Sequence, residues 1–319
     1  MPLIQSSFAS PLLLRSGDLQ SVIPAILRRA PELQTHTETI ELEDGDILEL
    51  DWLLKGNSRL AIITHGLEGS TRSSYVRGLA HTLSKNGWDV LAWNMRGCGT
   101  LPNRLPTWYH SGQSADLKRV VQLAIERHNV PMALIGFSVG GNITLKYLGE
   151  ESDLLPSQVK RAVAVSVPMD LRGSANQLAK PRNRLYMEYL LRPLRRRIKE
   201  KAQRFPELFD ARGLHLIKNF HEFDRLYTAP FHGFRSVDEY WDKSSALAYI
   251  SKIKIPTLAI SAANDPFLSE SCLPYSIARE HQFLYLETPS NGGHVGFIDR
   301  YSLRKTWMEG RVSRFLSDS

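Results

Sequence analysis

One stretch, Ala133-Leu134-Ile135-Gly136-Phe137-Ser138-Val139-Gly140-Gly141, limits what this chain can fold into more than any other. A short apolar run leads into a serine that has glycine two positions before it and two after, and a segment of helical composition, 139–149, leaves it. A serine at such a strand-turn-helix junction sits on a sharp, strained turn, and the flanking residues must be small for strand and helix to approach. The pentapeptide alone arises by chance in roughly one chain of this size in ten. Its setting between a strand and a helix is what gives it weight.

The surrounding pattern fits that junction into a layered sheet. Residues 39–52 alternate apolar and polar around Asp44-Gly45-Asp46, the pattern of a hairpin. After it come strand-like runs at 59–64, 89–94, 132–135 and 159–167, separated by helical segments at 73–86, 111–128 and 139–149. In 111–128, Leu117, Val120, Val121, Ala124 and Ile125 recur at helical spacing. Such alternation predicts an α/β fold with a parallel sheet and helices on both faces. It stops at 170–243, an arginine-rich, helical stretch with no clean buried strand, and resumes with strands at 255–262 and 282–287. A break of that length between core strands is too long for a simple loop and reads as a cap. The expected organisation is a core over 1–170 and 244–319, interrupted by a helical cap or lid over 171–243. A last amphipathic helix is expected over 301–317, with Trp307, Met308, Val312 and Phe315 facing inward.

The chain of 319 residues is 42% apolar and 23% charged, which suits a large buried core. Its two cysteines, Cys98 and Cys272, cannot build a disulfide framework or a CxxC metal site, and they suit a reducing cytoplasm. Arg15 and Asp18 interrupt the apolar patch Pro11-Leu12-Leu13-Leu14, so no signal peptide is read there, and no apolar run is long enough to span a bilayer. The net charge of +7 is local: residues 182–204 hold nine Arg or Lys against two Glu, an excess of seven. We read this run, which includes Arg195-Arg196-Arg197, as a solvated face of the cap. The alternative is weak contact with an anionic membrane surface; no nucleic-acid recognition motif accompanies it.

A serine hydroxyl is a poor nucleophile at neutral pH and needs a histidine base, itself oriented by a carboxylate. At this kind of junction the partners follow in the order Ser, Asp or Glu, His. Of the ten histidines, His294 in Asn291-Gly292-Gly293-His294-Val295-Gly296 lies in a glycine-rich loop after the last strand, and we take it as the base. For the acid we take Asp265, just beyond the 255–262 strand, with Asp170 as the runner-up after the preceding strand. The charge developing on a substrate carbonyl oxygen needs preorganised N–H donors. One is expected from Val139, and the second from Leu67 in His65-Gly66-Leu67-Glu68-Gly69-Ser70. Cys98 is expected to be a buried structural residue, and His110 and Asp116 to pack and hydrogen-bond beneath the site.

Taken together, His65-Gly66-Leu67-Glu68-Gly69, Asn94-Met95-Arg96-Gly97-Cys98, Asn103-Arg104-Leu105, Tyr109-His110-Ser111-Gly112, Gly136-Phe137-Ser138-Val139-Gly140-Gly141-Asn142 and Asn291-Gly292-Gly293-His294 resemble the YheT-like α/β-hydrolases. The likeness runs over residues 18–315 and includes 223–241. It implies an α/β-hydrolase fold, a mostly parallel eight-stranded sheet flanked by helices with a helical cap inserted. It also implies Ser138 as nucleophile, Asp265 as acid, His294 as base and Leu67 with Val139 as oxyanion donors, without metal or organic cofactor. The implied activity is cleavage of carboxylic acyl esters, on a small-molecule or lipid-like substrate. Acyl transfer to an alcohol or thiol uses the same residues, and a non-catalytic protein presenting a basic cap is the reading from outside enzymology.

Overall fold

The structure is a computed structural model that describes residues 3–29, 31–300 and 303–317. Nine strands form one sheet: β1 (Leu3–Ile4), β2 (His36–Glu41), β3 (Ile47–Leu53), β4 (Leu60–Thr64), β5 (Asp89–Asn94), β6 (Met132–Phe137), β7 (Val159–Val165), β8 (Thr257–Ile260) and β9 (Leu284–Glu287). Their order across the sheet is β1-β9-β8-β7-β6-β4-β5-β3-β2. The β2–β3 hairpin and the β3–β5 pair are antiparallel, and every other pairing is parallel. The expected count of eight is therefore corrected to nine. The added strand, β1, is a two-residue edge strand against β9, too short to show any alternation in sequence. The last helix is Trp307–Ser317, shorter than the expected 301–317; Tyr301 and Ser302 lie outside the described residues.

Strands β4, β5 and β6 are buried along their whole length, as strands covered on both faces must be. Period-two alternation splits their side chains between two cores. Ile62 and Leu134 join Leu117, Val120, Ile143 and Leu148 beneath the helices α3 (Ser114–His128) and α4 (Val139–Glu150). Ile63 and Ile135 point the other way, toward Leu79, Leu83, Met308 and Val312 of α2 (Ser74–Lys85) and the C-terminal helix. At the amino end, α1 (Gly17–Leu27) is fastened by Gln20, which is buried and exchanges hydrogen bonds with the backbone of Ile298 at 2.7 and 3.0 Å. No helix among the described residues is long and apolar enough to cross a membrane.

Between β7 and β8 the chain runs through α5 (Leu171–Leu178), α6 (Arg184–Arg204), a short helix at Phe220–Phe223 that continues as a π-helical turn at Asp224–Thr228, and a helix at Val237–Ser244. Its return to the core is pinned by Asn142, four residues beyond Ser138 on α4. The fully buried Asn142 amide donates to Ser244 O at 2.7 Å and Ser111 O at 2.8 Å, and its carbonyl accepts from Ala246 N–H at 2.8 Å. One side chain thus satisfies three backbone groups that this junction would otherwise bury unpaired.

Candidate active site

At the β6–α4 junction Ser138 takes φ 51° and ψ −120°, while its N–H donates to Val165 O at 2.8 Å. A Cβ at Gly136 would stand 2.3 Å from Gly140 O, and one at Gly140 would stand 2.2 Å from His65 O. Both glycines are therefore required by the approach of backbone to backbone. Positive φ outside glycine recurs at Glu68, Ser166, Val295 and Phe297, all in loops that reach this corner, and Asn129 is the sole other described case. Strain gathered in one place marks a geometry the rest of the fold enforces.

Ser138, His294 and Asp265 are brought together. The Ser138 hydroxyl donates to His294 Nε2 at 3.0 Å, and His294 Nδ1–H donates to Asp265 Oδ2 at 2.8 Å. Asp265 is buried, and its other oxygen accepts from Phe267 N–H at 2.9 Å, so the carboxylate cannot swing away. The Phe267 ring stacks on His294 with centroids 4.2 Å apart. The loop carrying His294 is held by two serines: Ser21 Oγ accepts from His294 N–H at 2.8 Å and Ser166 Oγ from Val295 N–H at 2.9 Å. Asp170, the alternative acid, is elsewhere. It caps α5, accepting from Gly173 N–H at 2.9 Å and from Ser271 Oγ at 2.6 Å.

The loop after β4 packs on the same serine, and a Cβ at Gly66 would lie 3.3 Å from Ser138 Cβ. In this loop Gly66 N–H donates to Tyr75 Oη at 2.9 Å and Glu68 N–H to Tyr109 Oη at 2.8 Å. Leu67 N–H, between them, has no acceptor among the described residues, and Val139 N–H, the first of α4, is one of the free donors of a helix start. Sequence reasoning expects oxyanion donors at these same two positions.

His65 braces the loop from below as a neutral ring: Nδ1–H donates to Gly66 O at 2.7 Å, and Nε2 accepts from Met95 N–H at 3.1 Å. Burial pulls its pKa down to about 4, and burial likewise pulls His232 down to about 4. Both must take up protons on unfolding in acid, so their contribution is present above the ordinary value of 6.5 and is lost as pH falls toward 4. With about 1.4 kcal/mol for every pH unit separating the folded from the unfolded value, each ring is worth roughly 3 kcal/mol across that window. Asp224 opposes them more weakly, since burial raises it to about 6 and its share is lost as pH rises through that value. Urea unfolding at a series of pH values should therefore give a midpoint that falls as pH drops from about 6.5 to about 4. A flat midpoint would contradict the assignment of neutral rings.

The basic run is not a uniformly solvated face, and this corrects the expectation. Arg196 is exposed, but Arg197 is buried, and its guanidinium grips Glu68 with both carboxylate oxygens at 2.9 and 3.0 Å while donating to Gly97 O at 3.1 Å. Tyr109 Oη donates to the same Glu68 carboxylate at 2.9 Å. Lys201, also buried, donates to Asn103 Oδ1 at 2.7 Å and to the carbonyl of Leu105. Sequence reasoning missed this clamp. Only the triple arginine hinted at it, because its partner lies 129 residues away. Cys98 is half-buried beside Arg197, and burial pushes its thiol up to about 12. Asp116 pairs with Arg96 through two 2.8 Å contacts, in keeping with its expected supporting part.

Above Ser138 lies a cavity of about 660 Å³ lined by Ser138, His294, Leu67 and Val139 together with α5, α6 and the Val237–Ser244 helix. Leu171, Leu178, Leu190, Leu194, Phe223 and Trp241 make its wall largely apolar.

A strained serine between a parallel strand and a helix, with its histidine on the loop after the last strand, is the arrangement of an α/β hydrolase, and comparison with known proteins agrees. A model of the α/β-hydrolase fold matches residues 62–301, and the chain belongs to that family. It is similar to YheT of Escherichia coli (strain K12), 34% identical over 308 residues that cover 94% of this chain and 89% of that protein. It is similar too to the monoacylglycerol lipase of Saccharomyces cerevisiae, 32% identical over 266 residues, 81% of this chain and 58% of that one. Among solved structures, the Pyrococcus furiosus esterase Pf2001 shares the fold with a TM-score of 0.60 at 22% identity, covering 89% of this chain and 91% of that chain.

Proposed function

We propose that this chain is a carboxylic ester hydrolase working through a serine-bound acyl intermediate. The observation that carries the reading is the unbroken hydrogen-bond line from Ser138 Oγ through His294 to Asp265, on a serine held at positive φ. Ser138 Oγ attacks the ester carbonyl carbon as His294 Nε2 takes its proton. The oxyanion that forms is met by the N–H groups of Leu67 and Val139, each worth about 3 kcal/mol in such sites. Collapse of this intermediate breaks the bond to the alkoxy oxygen, which leaves with the proton from His294. Water, deprotonated by His294, then frees the acid and restores the serine. An alcohol in place of water in that second half gives acyl transfer by the same steps.

The apolar wall supports an acyl chain as the part of the substrate held over Ser138, and the likeness to a monoacylglycerol lipase points the same way. Residues 171–243 serve in this reading as the lid that shapes that wall. The free thiols of Cys98 and Cys272 fit a reducing compartment such as the cytoplasm. Treatment with a fluorophosphonate followed by peptide mass spectrometry is expected to place a single phosphonyl adduct on Ser138, with esterase activity lost in step. An adduct on another residue, or none, would remove the nucleophile from this account.

A further inference from the structure

The cavity mouth is made by two helices from distant parts of the chain, and both expose apolar side chains there. On α1, Leu19, Val22 and Ile26 fall at i, i+3 and i+7 and form one stripe, exposed by 43, 38 and 73%. The opposite side of α1, with Gln20, Ser21 and Pro24, is the buried one, and Arg28 just past its end is buried too. On α6, Leu185 and Tyr189 are 85 and 69% exposed. The two helices are tied together at this rim, where Tyr186 Oη donates to Asp18 Oδ1 at 3.0 Å. Val22, Ile26, Leu185 and Tyr189 all line the cavity itself, so the exposed patch and the apolar interior are one continuous surface. A patch of this kind on the rim of a pocket marks a docking surface.

What docks there is indicated by charge. Past Tyr189, the same exposed face of α6 carries Arg192 and Arg196, and Arg15, Arg29, Lys180, Arg182 and Arg184 are exposed on the flanking turns and helix ends. Against them stand Asp18, held by Tyr186 and Arg182, Glu188, held by Arg195, and Glu200, 3.8 Å from Arg196. An apolar tip ringed by arginine and lysine is the composition that settles into the boundary between headgroups and acyl chains of an anionic lipid layer. We propose that the α1–α6 rim docks this enzyme onto an anionic lipid surface, with the mouth of the cavity facing the layer so that an ester passes from the lipid phase to Ser138 without crossing water. The use made of docking rests on the proposed esterase reading, whereas the docking itself does not. The membrane contact that stood as the alternative reading of the basic run is thereby placed on the rim and not on its inward-facing residues Arg197 and Lys201.

The test is co-sedimentation of the full chain with vesicles of phosphatidylcholine alone and of phosphatidylcholine mixed with phosphatidylglycerol. The wild type is expected to partition onto the mixed vesicles, less at high salt. A Leu19→Ser/Leu27→Ser variant alters Leu19 of the stripe and Leu27, 62% exposed at the end of the same helix, neither of which lines the cavity, and is expected to lose partitioning by about tenfold or more. Its hydrolysis of a water-soluble 4-nitrophenyl ester should stay at the wild-type rate. An Arg184→Glu/Arg192→Glu variant should lose the preference for phosphatidylglycerol. Wild-type protein that ignores both vesicle types, or leucine variants that partition unchanged, would overturn the proposal. So would a dimer in sedimentation equilibrium that the Leu19→Ser/Leu27→Ser change dissolves, because a second copy would then cover the patch. Vesicle binding without turnover of any ester would instead overturn the esterase reading and leave the docking standing.

Discussion

An Asp265→Asn enzyme is expected to hydrolyse a soluble ester about 10⁴-fold more slowly than wild type, through kcat, with KM little changed. The carboxylate accepts from His294 Nδ1–H at 2.8 Å and so fixes the tautomer that leaves Nε2 free to take the serine proton. An amide there can present its N–H₂ to Nδ1 and stabilise the opposite tautomer, with a proton on Nε2 facing Ser138. It also removes the negative charge that balances the imidazolium formed during attack. The paired control is Asp170→Asn. Asp170 accepts from Gly173 N–H at the start of α5, and asparagine caps a helix about as well as aspartate, so this variant should keep wild-type kcat and stability. A large loss in Asp170→Asn with a small one in Asp265→Asn would reverse the assignment of the acid.

The second large effect is expected at Arg197, a residue that touches neither nucleophile nor base. Replacing it with methionine leaves Glu68 buried with no guanidinium to pair it, which typically costs about 3–5 kcal/mol. The cost falls on the loop that bears Leu67, the proposed oxyanion donor, on either side of which the Gly66 and Glu68 N–H groups are fixed. Even in the fraction that stays folded, kcat should fall by about 10²-fold, near the loss of one oxyanion donor. Adding Glu68→Gln to Arg197→Met removes the stranded charge and should recover most of the stability but not kcat, because the bidentate grip is not rebuilt. Thermal unfolding and steady-state kinetics on the three variants separate the two roles. Wild-type kcat in Arg197→Met would show that the clamp is structural alone.

Much of this was legible in the chain itself, for reasons that are local. The buried strands β4 to β7 read as apolar runs of strand length, and the elbow is written into five consecutive residues, so the alternation and Ser138 could be placed from sequence. That His294 and Asp265 would come close to Ser138 could be expected because loops at the carboxyl ends of parallel strands converge on one edge of the sheet. β1 was not accessible: two residues cannot display a period, and only the neighbouring β9 makes them a strand. Nor was the Arg197–Glu68 pair, because a basic helix face reads the same in sequence whether it meets water or a carboxylate from another segment. The same ambiguity hid the rim, where Leu19, Val22 and Ile26 of α1 have ordinary helical spacing and only the fold leaves that stripe uncovered.

Asn142 has a mechanical consequence. Because it belongs to the helix that begins at the nucleophile, and holds the polypeptide on both sides of the return at 244–246, the covering helices are riveted at one end to the very element that aims Ser138. Arg197 on Glu68 and Tyr186 on Asp18 fasten α6 at two further points, so any lifting of this cover must first break one of those contacts. Loss of the Tyr186–Asp18 contact alone would free the side where α1 and α6 meet and leave the bonds of Asn142, and with them the alignment of Ser138, untouched.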